Sequence, residues 1–309
     1  MKWINQDILK ANIPNESIHL IVTSPPYNVG INYDIYSDDM EYSRYLKWLT
    51  SVFVFLYDKL VDGGRVCINI APTGIKNFTP IHHDLITNLR KKRYRFITEI
   101  IWYKQNRTAR TAWGSWMSPS CPYVLPSWEY VYVLQKGEKL VNDKKSDITK
   151  EEFLKFVDGF WSITPEVKKK GHPVPFPKEL VYRLIKLYTY PGDTVCDPFG
   201  GSGTVALVAR ETKRDFVCAE ISPEYSKIAN ERIGTMECPH CGSMNTMKKG
   251  IETKTKVSYQ RYKCLDCNKW FSPMSKPSDI AFQLRDTTSA NIKKVLELHN
   301  AVGEKINNC

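Results

Sequence analysis

Residues 193–222 read DTVCDPFGGSGTVALVARETKRDFVCAEIS. A short β-prone run leads into a glycine-rich turn, a helical run from about Thr204 follows, and a second β-prone run ends on Glu220. Gly200, Gly201 and Gly203 permit a tight turn with positive φ and let a ligand approach the backbone at a helix N-terminus. An acid about 20 residues further on, at the tip of the next strand, is where a ribose hydroxyl pair is held. The stretch is therefore read as an adenosine-binding strand–helix–strand unit, and the fold as α/β. Its spacing is not G-x-G-x-x-G, and the loop opens on an acid, Asp197, followed by Pro198 and Phe199. That carboxylate would repel a pyrophosphate and favour a cation, so S-adenosylmethionine, with its sulfonium and ammonium groups, has the matching sign. The alternative is a tight structural turn with no ligand.

Outward from this unit, further β-prone runs occur at 2–5, 18–23, 65–71, 95–103 and 129–134, giving seven strands with 193–197 and 215–220. Between them, Tyr42, Tyr45, Leu46, Leu49, Phe53, Leu56 and Leu60 recur at helical spacing up to a stop at Gly63-Gly64. Leu180, Leu184, Leu187 and Tyr188 repeat the pattern. Strands alternating with helices imply a mainly parallel sheet covered on both faces. With 309 residues and 42% hydrophobic content, the chain supports one sizeable core over 1–234 and a satellite over 235–309.

The formal charge of +11 points to a polyanionic partner such as nucleic acid. No apolar run reaches the roughly 18 residues of a membrane span, and no signal-peptide core opens the chain, so a cytoplasmic protein without a membrane partner is expected. Cys67, Cys121, Cys196 and Cys218 lie among apolar residues and read as core. Residues 104–128 carry Lys104, Arg107 and Arg110 with three tryptophans and no clean period, which reads as a working loop. Residues 136–172 are polar and Lys-rich around a short helix at TKEEFLKFV, a surface insertion.

The second informative stretch is TSPPYN, residues 23–28. Each proline fixes φ, removes a donor and pushes its predecessor into extended backbone, so the strand ends in a stiff loop. Its carbonyls have no ladder partners and are open to a ligand, with the Ser24 hydroxyl beside them. The exocyclic amine of a nucleobase is a poor nucleophile because its lone pair is delocalised into the ring. Acceptors at Ser24 and Pro25 would localise that lone pair and stabilise the charge that develops on alkylation, while Tyr27 offers a face for the base. A Pro-Pro strand terminator with a core tyrosine is the alternative.

Together these loops resemble the amino-methyltransferases of DNA, with their [Asp/Asn/Ser]-Pro-Pro-[Tyr/Phe] and DPFxGSGT-like motifs, over about residues 1–234. The motif order, Ser24, Pro25, Pro26 and Tyr27 first and Asp197 to Thr204 last, resembles the circularly permuted β group. The resemblance implies a Rossmann-like, seven-stranded mixed sheet. It also implies cofactor contacts at Asp7, Asp197, Phe199, Gly201, Ser202, Gly203, Thr204 and Glu220, with GHPVPFP (171–177) flanking the methionine moiety. It further implies extrusion of the target base from double-stranded DNA, direct transfer without a covalent adduct, and a restriction–modification setting with a cognate endonuclease. Serine at position 24 is most like the members that methylate cytosine N4; adenine N6 is the alternative.

Cys238-x2-Cys241 and Cys264-x2-Cys267 supply four thiolates for a closed tetrahedral zinc site. The segment looks like a zinc ribbon, a module that minimal members of the family lack. Its basic cluster, Lys248, Lys249, Lys254, Lys256, Arg261 and Lys263 with Tyr259 and Tyr262, reads as a DNA contact, the alternative being a folding staple or a protein-contact module. Arg107 and Arg110 suit either guanine edges or phosphates. The competing class is a zinc-ribbon DNA binder with an inactive methyltransferase fold.

Overall fold

The computed structural model describes residues 1–28, 30, 32–33, 36–37, 39–72, 79–105, 114–124, 126–138, 143–166, 176–234, 238–241, 246–254 and 257–272. The chain divides into two compact units, Met1–Thr235 and Met236–Cys309. The first runs β1 (Lys2–Ile4), a 3-10 turn (Ile8–Lys10), β2 (Ile18–Thr23), β3 (Asn32–Tyr33), β4 (Tyr36–Ser37), α1 (Tyr42–Lys59), β5 (Leu60–Ile70), α2 (Ile81–Lys91), β6 (Arg95–Tyr103) and β7 (Trp128–Gln135). It continues with α3 (Lys150–Phe156), β8 (Phe160–Ser162), α4 (Lys178–Tyr188), β9 (Thr194–Asp197), α5 (Thr204–Glu211), β10 (Asp215–Ala219) and α6 (Pro223–Ile233). Among the described residues, no helix is long and apolar enough to cross a membrane.

One mixed sheet orders the strands β1-β10-β9-β2-β5-β7-β6-β8, and β7 alone runs against the rest. Alternation along β2 divides the core: Ile21 joins Leu49, Phe53, Ile68 and Leu85 under α1 and α2. Leu20 and Val22 join Leu184, Val195, Val208 and Phe216 under α4 and α5. Local chemistry fixes the helix ends. The Glu41 carboxylate accepts the Ser43 and Arg44 N–H groups at the start of α1. Ser222 caps α6, Pro223 opens it, and Gly234 closes it at φ 69°.

The structure corrects four expectations. The sheet has eight strands, because β8 pairs in parallel with the outer side of β6. The segment 136–172 is more than a surface insertion: Trp161 of β8 is 1% exposed, and Phe156 and Ile163 lie with it in the core. The first helix stops at Lys59, not at the glycines, since Leu60 already pairs with Ile18 in the sheet. Gly63, at φ 75°, sits where the β2–β5 register slips, so the glycines shape a bulge inside β5. Finally, Cys121 is exposed, in a loop where Gly114 bridges Pro122, while Cys67, Cys196 and Cys218 are buried.

Candidate active site

Strands β2 and β9 lie side by side, with Leu20 opposite Val195 and Ile21 opposite Cys196, so the proline and glycine loops leave the sheet at adjacent carboxyl ends. A direct bond links them: the Thr23 hydroxyl donates to Asp197 Oδ1 at 2.7 Å, and the Phe199 N–H donates to the same oxygen at 3.0 Å. Asp197 is 4% exposed. Burial pushes its carboxyl up to about 7 against both hydrogen bonds, and the neighbouring Glu220 charge adds to the rise.

The glycines place the rest of this loop. A Cβ on Gly200 would lie 2.8 Å from the Trp3 ring, and Gly203 holds φ 78° at the N-cap of α5. Gly201, at φ 49°, donates its N–H to Glu220 Oε2 at 2.7 Å, while the Ser222 N–H reaches Oε1 at 2.9 Å. Ser202 and Thr204 are buried; Arg232 of α6 donates to the Ser202 carbonyl at 2.6 Å and to the Thr204 hydroxyl at 3.4 Å. Their polar groups therefore anchor the start of α5. Phe199 packs on Trp48 of α1, ring centroids 5.6 Å apart. Asp7 follows β1, whose Ile4 carbonyl accepts the Glu220 N–H, and it caps the 3-10 turn through the Leu9 N–H at 2.9 Å. Asp7, Asp197 and Glu220 thus all stand at or just after strand ends on one rim of the sheet, an acidic rim suited to a cationic adenosine ligand.

In the proline loop, Pro25 is buried and the Pro26 carbonyl accepts the Tyr45 hydroxyl at 2.6 Å. Among the described residues no donor reaches the Pro25 carbonyl. Ser24 Oγ lies 3.0 Å from the Tyr27 hydroxyl, which also lies 3.1 Å from Glu129 Oε2 and 3.3 Å from the Asn69 carbonyl.

The family described as DNA methylase matches residues 18–231, from the first residue of β2 into α6. The chain belongs to the DNA methylase family. Type II methyltransferase M.MjaVI of Methanocaldococcus jannaschii is 43% identical to this methylase over 172 residues, 54% of this chain and 87% of that one. Type II methyltransferase M.MjaI of the same organism is 31% identical over 265 residues, 72% of this chain and 87% of that one. The solved structure of TTHA0409 from Thermus thermophilus, complexed with S-adenosyl-L-methionine, is 28% identical, with TM-score 0.60 over 75% of this chain and 93% of that one. The methylase has the α/β fold of S-adenosylmethionine-dependent DNA methyltransferases, built on a mixed sheet of eight strands.

Several residues of the methylase site escaped the sequence reading. The sequence marks Thr23 only as the last residue of one β-prone run and Glu129 only as the first of another. Glu129 is 7% exposed, between Tyr27 and the Lys104 ammonium that pairs with it. Lys104, expected to meet DNA, is thereby engaged with the site, and its ammonium also lies 5.1 Å from the Trp102 ring centroid. Arg107, Arg110 and residues 171–175 lie outside the described residues. In the nearby loop Trp116 and Met117 are 67% and 87% exposed.

The second unit of the methylase is a three-stranded antiparallel sheet of β11 (Thr246–Lys254), β12 (Val257–Cys264) and β13 (Trp270–Phe271). The sulfurs of Cys238, Cys241, Cys264 and Cys267 all lie within 4.8 Å of one another; Cys238–Cys267 and Cys241–Cys264 are each 3.6 Å apart. Zn–S bonds of about 2.3 Å in a tetrahedron require sulfurs about 3.8 Å apart, so the four residues fit the metal. Arg261 lies 4.5 Å from the Trp270 ring centroid and Tyr262 stacks on Phe271. Lys249 is exposed. Lys256 and the side chains of Lys248, Lys254 and Tyr259 lie outside the described residues.

Proposed function

We propose that this DNA methylase transfers a methyl group from S-adenosylmethionine to the exocyclic N4 amine of a cytosine extruded from double-stranded DNA, as the modification enzyme of a restriction–modification pair. The observation that carries the reading is the Thr23–Asp197 hydrogen bond, which ties an intact Ser-Pro-Pro-Tyr loop to an intact Asp197–Thr204 loop. Both Methanocaldococcus relatives are type II methyltransferases by name, and the Thermus protein binds S-adenosyl-L-methionine in its solved complex. When bound, S-adenosylmethionine supplies an electrophilic methyl group. Asp7, Asp197, the Gly201–Thr204 loop and Glu220 would hold it on the acidic rim. Ser24 Oγ and the Pro25 carbonyl accept the two amine hydrogens and localise the nitrogen lone pair, and Tyr27 supports the base. The rate then comes from alignment and from acceptors fixed in advance. The alkylated amine is a strong acid that loses its proton after attack, so no buried general base is required. Serine at position 24, rather than aspartate, favours cytosine.

Zinc held by Cys238, Cys241, Cys264 and Cys267 would staple the second unit, and its basic residues, Lys249 among them, add a DNA contact. The enzyme reading is tested by incubating the protein with methyl-labelled S-adenosylmethionine and either double-stranded DNA or RNA. Label is expected in DNA; label confined to RNA, or in neither, would overturn it.

Asp197 gives a pH prediction. With its carboxyl near 7 in the free protein, the anion that attracts a sulfonium forms only as pH rises through 7. Affinity for S-adenosylmethionine is expected to fall by up to about tenfold per pH unit below 7 and to level off above it. Calorimetric titrations between pH 5.5 and 8.5 check this, and the dependence should vanish in Asp197→Asn.

A further inference from the structure

A serine hydroxyl can accept or donate, and methyl transfer to an amine requires acceptance. What decides Ser24? Its one neighbour by hydrogen bonding among the described residues is the Tyr27 hydroxyl, 3.0 Å away. That phenol has a single proton and also meets Glu129 Oε2 at 3.1 Å and the Asn69 carbonyl at 3.3 Å. Both of these accept and neither donates, and Glu129 carries a negative charge balanced by Lys104. If the Tyr27 proton turned to Ser24, the phenol oxygen would face two acceptors, one of them charged, with no proton between them. Donation to the Glu129 carboxylate is the charge-assisted alternative and is about twice as strong as a neutral bond. With its proton given to Glu129 or Asn69, the Tyr27 oxygen can only accept from Ser24. The Ser24 proton is then turned inward, and its lone pairs are left facing outward.

We infer that Glu129, acting through Tyr27, is a positioning residue that fixes the Ser24 hydroxyl as an acceptor and so makes the loop select a nucleobase amine over a carbonyl. The inference rests on the proposed methyl transfer and adds a direction to its key hydrogen bond. The order of command is Lys104, Glu129, Tyr27, Ser24, drawn from the end of β6, from β7 and from the loop after β2. A base presenting a carbonyl oxygen at the same place, as thymine and uracil do at C4, would meet lone pair against lone pair. Tyrosine, rather than phenylalanine, at position 27 is what makes the relay possible.

The experiment is a mutant cycle read by single-turnover transfer of labelled methyl to DNA, with S-adenosylmethionine affinity measured alongside. Glu129→Gln and Tyr27→Phe keep size and shape, and each is expected to slow transfer roughly tenfold with cofactor affinity unchanged. In a Ser24→Ala background neither change should slow transfer further, because the hydroxyl through which they act is gone. A wild-type rate in Glu129→Gln or Tyr27→Phe overturns the inference, as does a tenfold loss that persists without the Ser24 hydroxyl, the mark of a merely structural role. Absence of transfer by the wild-type protein would instead sink the methyltransferase reading itself, and the inference with it.

Discussion

Ser24→Ala is expected to slow methyl transfer by about 10²–10³-fold while leaving the affinity for S-adenosylmethionine unchanged. The separation follows from where the bonds lie. The glycine loop is held by Thr23 to Asp197 and by Gly201 to Glu220, and neither bond involves the Ser24 side chain. What the substitution removes is one of two acceptors aimed at the amine, an interaction that strengthens as the nitrogen gains positive charge. Losing it therefore lowers the chemical rate more than it weakens binding. Single-turnover transfer and calorimetry measure the two quantities independently. Loss of both together would make the proline loop a structural terminator of β2.

Removal of metal from the second unit is the other large effect. Beyond the strand pairings, the apolar packing described in this unit is small, a stack of Tyr262 on Phe271. Structural zinc in modules of this size contributes apparent binding free energies of about 10–16 kcal/mol at neutral pH. A strong chelator, or Cys264→Ser, is thus expected to unfold residues 238–272. The full chain should hold one zinc per molecule by elemental analysis, and amide hydrogens of β11 and β12 should lose their protection when it is removed. A metal-free protein that kept that protection would show that the four sulfurs cluster without serving a metal.

Much of the fold was legible because each signal was local. β2 and β6 were read at their observed limits, 18–23 and 95–103, since runs of Ile, Val, Thr and aromatics bounded by polar residues announce themselves. The glycine loop was legible for the same reason. β8 was not: three residues, FWS, have no period, and only its pairing with Ile101, Trp102 and Tyr103 makes them a strand. α2 carries two histidines in its first turn and buries Leu85, Ile86 and Leu89 over barely three turns, too short a stripe to stand out. The Gly63-Gly64 pair looked like a helix stop because glycine serves equally at a C-cap and in a bulge, and the register of β5 against β2 decides between them.

In the active site, the residues proposed to touch a ligand were legible and those that orient them were not. Ser24, Pro25 and Asp197 stand in motifs whose chemistry is written in consecutive letters. Thr23 has its partner 174 residues away and Tyr27 meets Glu129 across 102, so no local pattern carries either contact. A lone acid at the head of β7 has the appearance of a solvent-facing residue. Only the fold reveals that β7 runs antiparallel to β5 and delivers Glu129 to the rim where β2 ends.

The Ser24 loop is proposed to present acceptors to a cytosine amine. Identification of the methylated base tests it most directly: DNA labelled by the protein is digested to nucleosides and the labelled species separated. Label in N4-methyldeoxycytidine is the predicted result, and label in N6-methyldeoxyadenosine would contradict it.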